Sequence, residues 1–289
     1  MDHATWQAGG RFLAFGPHRV FVREVGEGPP IVFLHGFPTS SFDFADVMDG
    51  LKAHHRCITF DFLGFGASSK PFPYHYTYDE QLAITLAVLR DAKVTSAVIV
   101  AHDYAVSVAQ ELLARAAEGP LGIDMRAVVF LNGGVCARLH RPIPVQRLLA
   151  SGVGAHLGKL LVRRASFERS LSRLVGSPPP PKSFFDAAWK GVSASDGTRV
   201  VPLLLHYIAE RRLRSARWES ALRDTRVPLT FVWGMADTVS GRHMLEWVRA
   251  EIPRAKTTAL ETIGHYPQTT ATAEVIAEIR EAIGGLASS

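Results

Sequence analysis

At 289 residues, 47% hydrophobic and 20% charged, the chain suits one large soluble core with room for a lid or small second domain, and it has no run of about twenty apolar residues that would span a membrane. Two cysteines, Cys57 and Cys136, argue against a disulfide framework and a four-ligand zinc site. The net charge of +5 is uneven: residues 137–223 carry 16 Lys or Arg against 5 Asp or Glu, or +11, while the remainder carries −6. That basic segment reads as a solvated face, with an anionic substrate or an acidic membrane surface as alternatives, and no nucleic-acid motif accompanies it.

The N-terminus lacks the basic, apolar and small-residue succession of a signal peptide, so a reducing cytoplasm is the expected compartment. Residues 12–15 and 19–25 predict two antiparallel strands, separated by a glycine-proline turn from a buried strand at Ile31-Val32-Phe33-Leu34 that ends in His35-Gly36-Phe37-Pro38. A helix over 44–53, a strand at 57–60, a glycine-bearing loop at 61–66 and a helix over 78–92 lead to a strand at 97–100 and a helix over 105–117. A further core strand at 126–131 closes in Asn132-Gly133-Gly134. Strands alternating with helices predict a mostly parallel sheet covered on both faces, here of eight strands.

The alternation stops at residue 136 and resumes only after 224. Between them come Leu- and Arg-rich helical stretches, an extended Pro178-Pro179-Pro180-Pro181 run, and predicted helices at 183–193 and 200–213. The expected organisation is an α/β core over 1–135 and 225–289 with a helical cap inserted at 136–224. The second core part holds a strand at 229–233, a helix over 241–251, a strand at 257–260 and a helix over 271–283.

The chemistry converges on Ala101-His102-Asp103-Tyr104-Ala105, where the apolar strand turns at once into a helix. Small residues two before and two after Asp103 let a sharp turn close, which is the logic of a nucleophile elbow, although an aspartate after a strand is also a common helix N-cap. A carboxylate at the elbow attacks an sp3 carbon and makes an alkyl ester. Backbone N–H groups of Tyr104 and Phe37 are the expected oxyanion site. His265, in a loop between the last strand and last helix, is the expected general base, and Asp237 after the penultimate strand is the acid that holds it, with Asn132 the weaker alternative position. His102 is expected to point away from the site. His35 reads as bracing the oxyanion loop, and with Pro38, Tyr207 and Trp189 it makes up the expected substrate-contacting set.

These pieces resemble the α/β-hydrolases with an aspartate nucleophile, the epoxide hydrolases and haloalkane dehalogenases. The words His35-Gly36-Phe37-Pro38, Asp61-Phe62-Leu63-Gly64-Phe65-Gly66 and His102-Asp103 match that group. A narrower likeness, carried also by Asn132-Gly133-Gly134, His140-Arg141-Pro142, Tyr207-Ile208 and His265-Tyr266-Pro267-Gln268, is to the mesoderm-specific transcript family and its bacterial relatives. The resemblance implies the α/β-hydrolase fold, the cap and the positions of the triad. Haloalkane dehalogenases place Trp after the nucleophile and fluoroacetate dehalogenases Arg; here the residue is Tyr104. Epoxide hydrolases donate a proton from a pair of cap tyrosines, which implies such a role for Tyr207, with Tyr104 or Trp189 as the second donor.

The expected function is therefore epoxide hydrolysis to a vicinal diol through an Asp103 ester, on a small apolar electrophile, with no cofactor and no metal. A haloalkane dehalogenase or an ester or lactone hydrolase on the same site is the alternative. A lipid-surface binding protein that retains the fold is a rival of another kind, resting on Arg163, Arg164, Arg169 and Arg173 in the basic cap.

Overall fold

Alternate residues of the central strands enter different cores, which is why those strands read as unbroken apolar runs. The computed structural model describes residues 1–142, 146, 149, 162–176 and 178–287. Its strands are β1 (Arg11–Phe15), β2 (His18–Val25), β3 (Pro30–Leu34), β4 (Arg56–Phe60), β5 (Ser96–Asp103), β6 (Asp124–Gly133), β7 (Leu229–Gly234) and β8 (Lys256–Leu260). They form one eight-stranded sheet in the order β1-β2-β4-β3-β5-β6-β7-β8. The β1–β2 and β2–β4 pairs are antiparallel and the remaining pairs parallel. From β5, Ala97, Ile99 and Ala101 pack on one face of this sheet, Val98 and Val100 on the other.

The described helices are α1 (His3–Ala8), α2 (Ala45–Leu51), α3 (Tyr78–Asp91), α4 (Tyr104–Glu118), α5 (Arg164–Val175), α6 (Lys182–Ser193), α7 (Val201–Leu204), α8 (Tyr207–Asp224), α9 (Arg242–Glu251), α10 (Pro267–Thr270) and α11 (Thr272–Gly284). Helices α2 and α11 cover one face through Val47, Met48, Leu51, Val275 and Ile279. Helices α3, α4 and α9 cover the other through residues such as Leu82, Val108 and Leu245. The fold is thus an α/β-hydrolase sheet with helices on both sides.

Several boundaries differ from the sequence expectation for physical reasons. Helix α1 was not anticipated; Asp2 caps it by accepting from the Ala4 and Thr5 N–H groups, each at 3.0 Å, and Trp6 anchors it in the core. The helix expected over 200–213 is two helices, because a tight turn at Leu205-His206, with the His206 N–H donating to Leu203 at 3.2 Å, redirects the chain. The second piece runs on to Asp224. It is held along its length by the buried Glu111 of α4, which accepts from Trp218 Nε1 at 2.5 Å and pairs with Arg217.

Between β6 and β7 the described residues form helices, with one isolated bridge from Gly176 to Ile263 in the loop after β8. The proline run at 178–181 is irregular, and Pro181 lies at φ −63 and ψ 156, as expected of an extended proline segment. Part of the expected cap, 143–145, 147–148, 150–161 and 177, lies outside the described residues.

Candidate active site

Strand β5 ends on Asp103, whose backbone sits at φ 48 and ψ −102, a region that non-glycine residues avoid. Helix α4 begins at the next residue. The turn is tolerated because neighbouring strands give way: a Cβ on Gly36 would lie 2.7 Å from the Asp103 Cβ, and one on Gly133 2.9 Å from the Asp103 carbonyl oxygen. Glycines outside the pentad therefore supply the clearance, and Ala105 is accommodated with full burial. The strained backbone aims the Asp103 carboxylate at the carboxyl ends of the strands, where ligands bind in open α/β sheets.

One oxygen of that carboxylate, Oδ2, accepts a 2.9 Å hydrogen bond from the Phe37 N–H. The other, Oδ1, lies 3.6 Å from His265 Nε2. On the far side of the imidazole, Nδ1 is 2.7 Å from Asp237 Oδ2. Asp237 also accepts from Ser240 Oγ at 2.6 Å and from the Val239 N–H at 2.8 Å. Asn132, weighed in the sequence as a substitute for Asp237, instead supports it: its Nδ2 donates to Asp237 Oδ2 at 3.0 Å and to the Gly234 carbonyl at 2.8 Å, and its Oδ1 accepts from the Gly234 N–H at 2.6 Å. With both amide ends engaged, Asn132 joins the ends of β6 and β7 under the acid.

His102 lies against the His265 segment. Its Nε2 is 2.8 Å from the His265 carbonyl oxygen, and burial lowers its pKa to about 3, so it is a neutral ring donating to that carbonyl. The helical region contributes as well, because the His265 N–H donates to the Leu174 carbonyl at the end of α5 at 3.0 Å. That contact needs two glycines. A Cβ on Gly264 would lie 2.4 Å from the Val175 carbonyl oxygen, and one on Gly176 2.9 Å from the Gly264 Cα.

The electrostatics follow from two buried carboxylates sharing one imidazole. Burial alone would lower the His265 pKa, but Asp237 and Asp103 together hold it well above the ordinary 6.5. Burial alone would raise both carboxylates, and the His265 charge reverses this, keeping Asp103 and Asp237 below the usual carboxylate range. These shifts favour an aspartate–imidazolium–aspartate arrangement. Such a cluster presents one carboxylate oxygen to a ligand and keeps a proton within reach.

A cavity of about 80 Å³ opens over this arrangement. Phe37, Pro38, Asp103, His140, Val239 and His265 form its floor and wall. Val162, Phe167, Leu171, Leu174, Val201 and Leu205 form its roof. The roof is mainly apolar, with Gln146, Ser166 and Ser170 adding polar groups beside those of Asp103, His265 and His140.

A family model described as the alpha/beta hydrolase family matches residues 31–278. The chain belongs to that family. Among curated relatives, this alpha/beta hydrolase is 39% identical over 266 residues to the putative hydrolase LipZ of Mycobacterium tuberculosis, covering 91% of each chain. It is 36% identical over 279 residues to the human mesoderm-specific transcript homolog protein, covering 91% of this chain and 82% of the other. Among solved structures it superimposes on a loop variant of haloalkane dehalogenase DbeA from Bradyrhizobium elkanii with a TM-score of 0.80, at 21% identity, covering 96% of this chain and 97% of that one. The likeness to the mesoderm-specific transcript family read from short motifs is thus present along most of the hydrolase chain.

Not every residue singled out in the sequence reaches the cavity of this hydrolase. Tyr104 and Tyr207 sit side by side in a buried aromatic cluster, with ring centroids 5.3 Å apart; Tyr104 stacks on Tyr78 at 4.8 Å, and Tyr207 packs on Phe37 at 5.8 Å. Neither ring lines the cavity, and burial raises both phenols well above 10, which weakens them as acids. Trp189 packs against Phe167 at 5.6 Å, one layer behind the cavity roof. His35 is taken up by backbone on both sides: its Nδ1 is 2.9 Å from the Gly36 carbonyl, and its Nε2 accepts from the Phe62 N–H at 3.0 Å. It is a loop brace, out of contact with the cavity, whereas Pro38 does line it.

His140, within the His140-Arg141-Pro142 word, carries no local sign of a role in the sequence. His140 stands at the cavity wall, with Arg211 of α8 behind it. The signal was a histidine just after the end of β6, which carries meaning only once that strand end is known to border Asp103.

Proposed function

We propose that this hydrolase opens an apolar epoxide through a covalent ester on Asp103. The observation that carries the reading is the unequal treatment of the two carboxylate oxygens of the cavity-lining Asp103: Oδ2 is tethered by the Phe37 N–H while Oδ1 lies 3.6 Å from His265 Nε2. Oδ1 attacks a ring carbon; the new C–O bond forms as the ring C–O bond breaks, and the electron pair goes to the ring oxygen. Esterification removes one of the two negative charges that kept His265 protonated. Its proton passes to the opened oxygen, leaving the imidazole neutral and able to take a proton from water.

That water adds to the ester carbonyl carbon. The former Oδ2 becomes an oxyanion already within reach of the Phe37 N–H, and the Tyr104 N–H, next in sequence, is the second expected donor. Collapse of the intermediate releases the diol, restores the Asp103 carboxylate and returns the proton to His265, whose charge Asp237 again balances. Tyr207, Tyr104 and Trp189 have no proton-donor step in this cycle.

The test is intact mass spectrometry of a His265→Gln variant incubated with styrene oxide. In that variant solvent protonates the opened oxygen, so the ester forms more slowly than in the wild type, but hydrolysis lacks its base. The expected result is one covalent adduct, carried by the peptide that contains Asp103. No adduct with styrene oxide or any other epoxide would overturn the reading, and halide release from simple haloalkanes would replace it with dehalogenation.

A further inference from the structure

We propose that His140, backed by Arg211, is the hydrogen-bond donor that receives the oxygen released when the epoxide ring opens; this rests on the Asp103 reading above and adds to it a group that holds that oxygen before His265 protonates it. Arg211 is the starting observation. It is 2% exposed, and its hydrogen-bond partners among the described residues are all uncharged: Ser107 Oγ at 2.9 Å, His140 Nδ1 at 3.3 Å and the Tyr78 hydroxyl at 3.4 Å. Its plane also lies over the Tyr207 ring at 4.9 Å. No carboxylate forms an ion pair with it among the described residues, although its helical neighbours Glu210 and Arg214 pair with each other at 3.0 Å. A buried guanidinium with no carboxylate in direct contact is costly and leaves a positive potential at the end of β6, which the Asp103 carboxylate feels across the site.

Guanidinium donates and never accepts, so its contact with His140 settles the tautomer. Nδ1 of His140 must hold a lone pair toward Arg211, and the ring proton must sit on Nε2. His140 is itself part of the cavity wall that contains Asp103 and His265. Burial and then the Arg211 charge lower its pKa to about 3, so the ring stays neutral and acts as a polarised hydrogen-bond donor. When Asp103 Oδ1 bonds to carbon, the ring oxygen takes the C–O electron pair and accepts the Nε2–H hydrogen bond. The Arg211 charge lies behind that bond until the proton from His265 arrives. His140 is the catalytic donor and Arg211 its positioning residue.

The site would therefore favour electrophiles whose leaving atom is a basic, tethered oxygen. The experiment compares alkylation of Asp103 by styrene oxide and by methyl 4-nitrobenzenesulfonate, whose leaving group is weakly basic, in the wild type and in His140→Phe and His140→Gln. Removing a donor of this type costs roughly 10²-fold or more, so His140→Phe is expected to lose that much with styrene oxide and little with the sulfonate. His140→Gln, which keeps an N–H, is expected to recover part of the loss. Equal losses with both electrophiles, or no loss with styrene oxide, would overturn the proposal. Nitrogen-15 NMR of the His140 ring supplies a second measurement that needs no turnover: a neutral Nε2–H tautomer at pH 6 is expected, and an imidazolium or an Nδ1–H tautomer would overturn the assignment. If no electrophile labels the wild type or either variant while the NMR shows the expected tautomer, the Asp103 reading has failed and the hydrogen-bond assignment has not.

Discussion

At the scale of single residues, the site is a charge-sharing problem resolved by geometry. His265 gains two carboxylate partners on folding, so its pKa is raised relative to the unfolded chain. The stability it contributes is fully present below about pH 6.5, the unfolded value, and is lost as pH climbs through the raised value. Thermal denaturation of the wild type from pH 6 into the alkaline range should show a fall in Tm that the His265→Gln variant lacks; parallel curves would show that the imidazole is not held as a cation. Asp237 carries the opposite sign, since its lowered pKa makes its contribution fade only as pH falls below the ordinary carboxylate range. Asp103 and His265 were singled out from the turn pentad and the late loop, and Asn132 as the weaker acid position, but its bracing of Asp237 was not legible. An asparagine that serves both β6 and β7 has no local signature, because its partners are 102 and 105 residues away.

At the scale of elements, the junction between α5 and the loop carrying His265 is the most demanding contact. Leu174 accepts the His265 N–H, and the backbones approach across Gly264 and Gly176 with no space for a side chain. A Gly264→Ala substitution places a methyl 2.4 Å from the Val175 carbonyl, so one backbone must move. The expected cost is about 1–3 kcal/mol of stability. Because the displaced loop carries His265, hydrolysis of the proposed Asp103 ester should slow more than its formation, which single-turnover measurements separate; equal slowing would place the strain elsewhere. Apolar periodicity predicted helices on either side of this junction, but the close approach of two glycines far apart in the chain is not a periodic signal. The same limit explains α8. Its length and direction follow from Glu111, an acid buried in the middle of α4 whose partners Trp218 and Arg217 lie more than 100 residues on.

At the scale of the whole molecule, the excess positive charge of residues 137–223 meets carboxylates of the α/β sheet and its helices. Arg214 pairs with Asp79 at 2.5 Å, Arg223 with Glu251 at 2.8 Å, and Arg217 with Glu111 and Glu118. Arg164 pairs with Glu168 at 2.7 Å and with Asp186, and Arg169 and Arg173 are exposed on α5. No helix among the described residues is long and apolar enough to cross a membrane. With Arg214, Arg217 and Arg223 committed to core carboxylates, co-sedimentation with vesicles should be weak and should not rise when phosphatidylserine is added; a steep rise would favour a lipid-surface role. The sequence by itself determined the alternation of strands and helices, the sharp turn at Asp103 and the chain order of Asp103, Asp237 and His265, since each is written in neighbouring residues and in the spacing of apolar positions. Only the tertiary structure decided which side chains meet over the cavity. It turned Tyr207 and Trp189 into packing and brought His140 to the wall in front of a buried arginine, because contacts between distant segments depend on how strand ends and helices are stacked, and no local pattern encodes that.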